Sequence, residues 1–374
     1  MARTDPAAEG PKGARSDAAA SRAATPKKGR PTPTRSGRVA PAKPTSNRPG
    51  RPTPPKRRSG PGASAWIGGA RLRTLPLAVA PVAVGAGAAT ITATVSPILA
   101  VLCLVVSIFL QIGVNYANDY SDGIRGTDEF RVGPARLTGS GLVSPKRVLA
   151  VALVSFGIAG AAGVVLVVVT GLWWLLAVGA VCIVAAWFYT GGKRPYGYNA
   201  MGELFVFVFF GLVATAGTTF VLSRHVTQEA WFGGVAVGLI AVAVLVSNNF
   251  RDIDTDIAAG KRTLSVLIGR TASRILFVAC LLVAFAILAA ISLTYPLGWY
   301  VFFTGLIAVP AMIVMLVGRT PADLILVLKL TSALGILYGV GLGRVDAGRE
   351  EAGRIRRATA RGRGPRRRGC RARS

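Results

Sequence analysis

Between positions 75 and 342 the chain is a succession of apolar stretches of about twenty residues separated by short polar breaks, the length that crosses a hydrocarbon core of roughly 30 Å as α-helix. Nine such stretches are read, at 75–94, 97–118, 147–169, 172–190, 201–222, 229–249, 272–294, 297–317 and 321–342. A core helix of a water-soluble domain shows a polar face at every turn, whereas VALVSFGIAGAAGVVLVVV at 151–169 is apolar all round. The pattern predicts an all-α membrane protein, a bundle of nine transmembrane helices over residues 64–343.

The polar breaks fall into two unequal sets. The loops at 119–146, 191–200, 250–271 and 317–320, with Arg147 and Arg274 at the adjoining helix starts, hold thirteen Lys or Arg; the breaks on the other side hold only Arg224. Lys and Arg are retained on the cytoplasmic side of a bilayer, so the charged loops are expected there, in the cell (plasma) membrane, together with the N-terminus. An odd number of spans then places the C-terminus, basic as it is, on the side the rule disfavours.

Composition explains why the chain is 52% apolar yet carries a net charge of +28. Residues 1–63 contain fifteen basic and three acidic side chains and almost no large apolar ones, so they are expected to form a disordered cytoplasmic tail. Residues 344–374 contain twelve Arg against Asp346, Glu350 and Glu351 and form a second basic, low-complexity tail, which is either genuine or the product of a shifted reading frame in a GC-rich gene. No nucleic-acid-binding module accompanies these charges, and anionic lipid headgroups are the expected partners. The N-terminus lacks the apolar core and cleavage site of a secretory signal. Cys103, Cys182, Cys280 and Cys370 are isolated, and His225 is the sole histidine, which disfavours zinc chemistry and a Ser-His-Asp triad.

Chemistry concentrates where two spans meet the charged loops. The second span ends in Asn115, Asn118, Asp119, Asp122 and Asp128; the sixth ends in Asn248, Asn249, Asp252, Asp254 and Asp256. On a continuing helix Asn118 and Asp122 share one face, as do Asn248, Asp252 and Asp256, and like charges at that spacing repel unless a cation lies between them. Mg²⁺ takes oxygen ligands and is held by one or two carboxylates together with substrate phosphates, so two facing clusters suit a diphosphate clamped through Mg²⁺. Arg125, Arg131 and Arg136 follow the first cluster, and Arg251, Lys261 and Arg262 surround the second, placed for phosphate oxygens. Candidate metal ligands are Asn118, Asp119, Asp122, Asp128, Asp252 and Asp256, with the third ligand of the first cluster open between Asp119 and Asp128.

The first cluster, NDYSDGIRGTD at 118–128, resembles the NDxxDxxxD signature of the UbiA superfamily of intramembrane prenyltransferases, and Asp252 to Asp256 resembles its DxxxD; Gly126 stands where the first signature has its last acid. RLRTLPLAVAPVAVG at 71–85, YTGGKRPYGYNAMGELFVFVFFG at 189–211 and RDIDTDIAAGKRTLSVLIG at 251–269 are similar to the menaquinone branch, the 1,4-dihydroxy-2-naphthoate polyprenyltransferases. The resemblance implies transfer of a polyprenyl group from polyprenyl diphosphate to 1,4-dihydroxy-2-naphthoate with loss of CO₂, giving demethylmenaquinone. On the 189–203 loop, Lys193 and Arg194 are candidates for phosphate or the acceptor carboxylate, and Tyr189, Tyr196 and Tyr198 for the ring or an allyl cation. Arg71 and Arg73 are candidates for the acceptor carboxylate, and Glu203 for an acceptor contact or only a favourable charge at a helix N-terminus. Other acceptors, 4-hydroxybenzoate, haem, a chlorophyllide or phosphoribosyl diphosphate, define the alternatives within this chemistry. A transporter would instead place ionisable groups at the bilayer midplane.

Overall fold

The computed structural model describes residues 62–127 and 136–362, with side chains up to 345. Among the described residues eleven helices follow one another, besides single 3-10 turns at Leu72–Thr74 and Tyr196–Tyr198: α1 Ala63–Ala70, α2 Pro76–Thr90, α3 Pro97–Ile124, α4 Pro145–Thr170, α5 Leu175–Phe188, α6 Gly202–Ser223, α7 Gln228–Arg251, α8 Ile253–Ala258, α9 Leu264–Thr294, α10 Pro296–Val317, which begins as 3-10 helix over Pro296–Thr304, and α11 Pro321–Gly362. Several starts are written in the sequence: Ser96-Pro97, Ser144-Pro145 and Thr320-Pro321 place proline in the first turn, where its missing N–H costs no helical hydrogen bond. α4 ends at Gly171, whose φ of 70° returns its N–H to the Val167 carbonyl.

Among the described residues, seven helices are long and apolar enough to cross a membrane, and eight if Ala63–Thr74, which comprises α1 and the Leu72–Thr74 turn, forms one span with α2, the two bent by 47°. All nine predicted apolar stretches fold as helix, but nine full spans is approximate. α5 has 14 residues, roughly 21 Å of rise, short of a 30 Å core. α11 continues as helix to Gly362, past Gly343 where the apolar pattern stops. The calls on residues 1–61 and 363–374, Cys370 among them, lie outside the described residues.

α7 is the central helix, with 72% of its most apolar window buried, and its valine and alanine face packs with α9 and α11 into one core. Tyr338 is fully buried there, its hydroxyl donating to the Ala284 carbonyl at 2.7 Å. The outer faces carry large exposed side chains such as Leu293, Leu306 and Ile98, the surface that a bilayer covers and water would not. α2 and α11 approach backbone to backbone: a Cβ on Gly87 would lie 2.0 Å from the Gly343 carbonyl oxygen. Glycine lets helices cross that closely where lipid supplies no hydrophobic drive for association. α6 contains a π-helical turn, Phe207–Val213, at the point where Gly211 meets the backbone of Gly238 on α7.

Candidate active site

One end of the bundle gathers both acidic clusters around the mouth of a cavity of about 890 Å³. Asn115, Asn118, Asp119 and Asp122 reach it from the last turns of α3; Asn248, Asn249, Arg251, Asp252 and Asp256 reach it from the end of α7 and from α8. The helical spacing that puts Asn118 and Asp122 on one face continues inward through Asn115 and Gln111, so the whole stripe lines the cavity. Arg71, Arg73, Arg136, Tyr189, Tyr198 and Lys261 complete the mouth.

Asp122 is 3% exposed and has several partners. Its Oδ2 faces Arg136 Nη1 at 3.3 Å, and its Oδ1 faces Lys261 Nζ at 3.5 Å and accepts a hydrogen bond from the Tyr198 hydroxyl. The same ammonium lies 4.0 Å from Asp256 Oδ1, so Lys261 bridges the two clusters. It also sits over the Tyr198 ring, 4.7 Å from the centroid. Burial raises the Tyr198 phenol well above its usual range, and the Asp122 charge adds to it, so the phenol stays protonated and donates. Burial likewise pushes the Asp256 carboxyl up to about 7, opposed by Lys261 and reinforced by Asp252 and Asp122. Asp252 accepts both Nε and Nη2 of Arg251 at 2.7 Å, and Arg251 Nη2 also reaches Asn248 Oδ1 at 2.8 Å.

Three of the expected site residues already have partners. Asp119 Oδ2 accepts the Leu137 N–H at 3.0 Å and Oδ1 the Thr138 N–H at 2.9 Å, so its carboxylate clamps the loop that returns Arg136 to the site. Asn115 Nδ2 donates to the Ala70 carbonyl at 2.9 Å and to Thr74 Oγ1 at 3.1 Å, tying α3 to the bend after α1. Asn118 accepts from Thr190 Oγ1 at 2.7 Å. Asp128 and Arg131 lie outside the described residues.

The basic residues divide in the same way. Arg125 is exposed and its guanidinium donates to the carbonyls of Thr190 and Gly192, fastening the 189–198 loop to the end of α3. Lys193 and Arg194 point outward from that loop and are not among the residues lining the cavity. The Arg262 side chain is exposed too, while its N–H donates to the Tyr198 carbonyl at 3.0 Å and so presents Lys261 inward. Tyr189 lines the cavity edge-on to Tyr196, centroids 5.5 Å apart, and Tyr196 stacks on Phe205 at 4.1 Å. Glu203 is buried and accepts from Asn249 Nδ2 at 2.9 Å. Sequence reasoning singled out neither Thr190 nor Gln111. Gln111 had a signal, a lone amide in an apolar run one turn before Asn115; Thr190 had none.

The donor atoms around the mouth are oxygens, and among the described residues no three His, Cys, Asp or Glu stand close enough to hold an ion unaided. A hard divalent cation such as Mg²⁺, which uses few carboxylates and completes its shell with substrate oxygens and water, fits that donor set; a closed protein cage does not. Below the mouth the walls are apolar: Leu110, Val114, Ile183, Phe209, Phe210 and Val213 among them. The arrangement can bind a charged head at the polar end and a long hydrocarbon tail below it.

Comparison with known proteins agrees with this geometry. The chain is 49% identical over 245 residues to a 1,4-dihydroxy-2-naphthoate octaprenyltransferase of Mycobacterium tuberculosis, covering 66% of this chain and 82% of that protein. It is 37% identical over 245 residues to the Escherichia coli protein of the same name, covering 63% of this chain and 79% of that one. A UbiA homologue from Aeropyrum pernix superposes with a TM-score of 0.57 at 18% identity, covering 71% of this chain and 96% of that one. One from Archaeoglobus fulgidus, in a structure bound to GPP and Mg²⁺, superposes with a TM-score of 0.53 at 16% identity, covering 74% and 99%. The description of the UbiA prenyltransferase family matches residues 78–323, and the chain belongs to that family.

Proposed function

We propose that the protein transfers a polyprenyl group from polyprenyl diphosphate to 1,4-dihydroxy-2-naphthoate. The observation that carries this reading is the joining of both acidic clusters, through Lys261, at the polar mouth of an otherwise apolar cavity. Relatives named 1,4-dihydroxy-2-naphthoate octaprenyltransferase, up to 49% identical, support the choice of acceptor.

In this reading Asp122, Asp252 and Asp256, with Asn118 beside them, would hold Mg²⁺ jointly with the diphosphate oxygens, and the metal would supply positive charge to the leaving diphosphate. Asp119 is reserved for the loop. Lys261, Arg136 and Arg251, now turned toward carboxylates, rotate their donors to the non-bridging phosphate oxygens, where charge grows as the reaction proceeds. Lys193, exposed outside the cavity, is assigned no contact with the reacting groups. The allylic carbon–oxygen bond breaks, and diphosphate leaves with its electron pair. Tyr189 and Tyr198 place π faces near the allylic carbon, and the apolar walls keep water from it. Arg71 and Arg73 bind the acceptor carboxylate. The ring carbon bearing that carboxylate forms the new carbon–carbon bond; CO₂ departs and its electron pair returns to the ring, leaving demethylmenaquinone in its quinol form.

The site is assigned to the cytoplasmic face of the plasma membrane, supported by the thirteen Lys and Arg of the loops on that side. Membranes containing the protein, supplied with labelled polyprenyl diphosphate and Mg²⁺, are expected to prenylate 1,4-dihydroxy-2-naphthoate. Product with 4-hydroxybenzoate and none with the naphthoate would overturn the reading.

A further inference from the structure

Two amides stand on α3 below the carboxylates. Asn115 and Gln111 are 2% and 6% exposed, and both line the cavity. Thr74, in the turn after α1, fixes which way each amide faces. Its hydroxyl donates to the Arg71 carbonyl at 3.0 Å, so its oxygen is left to accept, and it accepts from Gln111 Nε2 and Asn115 Nδ2, each at 3.1 Å. The second N–H of Asn115 goes to the Ala70 carbonyl at 2.9 Å, a group that can only accept. Both amides therefore turn their nitrogens to the bend and their oxygens away from it. Among the described residues no group donates to either oxygen, and neither oxygen is sealed off by protein.

We propose that these two oxygens recognise the acceptor's hydroxyl groups: Asn115 accepts from the 1-hydroxyl and Gln111 from the 4-hydroxyl of 1,4-dihydroxy-2-naphthoate, so the pair selects a ring with two para O–H donors. The inference rests on the prenyltransferase reading above and names what the site reads in the acceptor. A prenyl tail has no proton to give, and an ionised diphosphate only accepts, whereas a quinol satisfies both buried acceptors at once. The two residues lie four apart on α3, roughly 6 Å of rise, close to the separation of two para oxygens on one ring. Orientation follows from Arg71, whose carbonyl holds Thr74 and whose side chain lines the cavity. The carboxylate end of the ring lies toward Arg71 and Asn115, and the 4-hydroxyl lies toward Gln111, one turn further from Asp122. A ring with one hydroxyl, such as 4-hydroxybenzoate, leaves one of the oxygens unpaired, which counts against it.

Ser107, one turn beyond Gln111 on the same face of α3, supplies a contrast. Its hydroxyl donates to the Ala78 carbonyl at 2.8 Å and ties α3 to α2, as Gln111 ties α3 to Thr74, but it carries no carboxamide oxygen. Ser107→Ala thus removes a helix tie alone, while Gln111→Met keeps the length of the side chain and removes both the tie and the oxygen.

The test uses the full chain in lipid vesicles with polyprenyl diphosphate and Mg²⁺, and compares kcat/KM for 1,4-dihydroxy-2-naphthoate with that for 1-hydroxy-2-naphthoate, which lacks the 4-hydroxyl. The intrinsic difference between the rings is the same for every variant, so a change in the ratio reports the protein. In Gln111→Met the preference for the dihydroxy ring is expected to fall about tenfold or more, with the KM for polyprenyl diphosphate within about twofold of wild type. In Ser107→Ala the preference is expected to stay within about twofold of wild type. A further measurement needs no variant: the 4-methyl ether of the acceptor keeps the ring oxygen but has no proton to donate, and the wild type is expected to use it at least about tenfold less well than the quinol. An unchanged preference in Gln111→Met, an equal fall in Ser107→Ala, or a wild type that uses the ether as readily as the quinol would overturn the assignment. Wild-type protein that prenylates no naphthoate at all would sink the functional reading instead, so the two failures are distinguishable.

Discussion

At the residue scale, the carboxylates divide by what already satisfies them. Asp122 and Asp252 are held by side-chain cations that can swing away, whereas Asp119 is held by two backbone N–H groups that cannot. Asp122→Asn and Asp252→Asn are therefore each expected to lower turnover by at least about a hundredfold while leaving the protein folded in the membrane, checked by initial rates alongside thermal melting in detergent. Near-normal turnover in either would remove the two-cluster site. Asp119→Ala leaves two buried donors unpaired and is expected to cost about 1–3 kcal/mol of stability for each, seen as a lowered melting temperature. The Asn-Asp stripes were legible because a four-residue spacing puts side chains on one helical face whatever the tertiary structure. The role of Asp119 was not, since its partners are backbone groups 18 and 19 residues away with no side-chain signature. Lys193 and Lys261 look alike in the sequence; what separates them is loop geometry, with the Arg262 N–H on the Tyr198 carbonyl turning Lys261 inward.

At the scale of elements, the apolar runs and their proline starts predicted the helices well, because both signals are local. The π-helical turn at Phe207–Val213 and the break of α9 at Gly269, where φ is 78°, left no comparable trace. The first lies inside an apolar run, and the second falls in the stretch read as the 250–271 loop. The 14-residue length of α5 was obscured in the same way, since the apolar text runs past both of its ends. Gly87 of α2 meets the backbone of Gly343 on α11. Gly87→Leu is expected to force α2 and α11 apart and to cost about 1–3 kcal/mol or more by overpacking. Thermal melting and the yield of folded protein in membranes check this; an unchanged melting temperature would mean that the two helices do not cross so closely.

At the scale of the whole molecule, polarity is sorted along the bundle: ionisable groups crowd one end, and an apolar slot descends from them between helices that present hydrocarbon to the bilayer. That division suits a reaction joining a charged, water-borne ring to a lipid chain, with the bond made where the two environments meet. The most direct measurement of the account follows the acceptor's carboxyl carbon. With 1,4-dihydroxy-2-naphthoate labelled at that carbon, purified protein in vesicles, polyprenyl diphosphate and Mg²⁺, one labelled CO₂ is expected per prenylated product. Release should stop when the donor is omitted or the metal chelated, and resume when Mg²⁺ is restored. Prenylated product that keeps the label, or CO₂ released without donor, would contradict it.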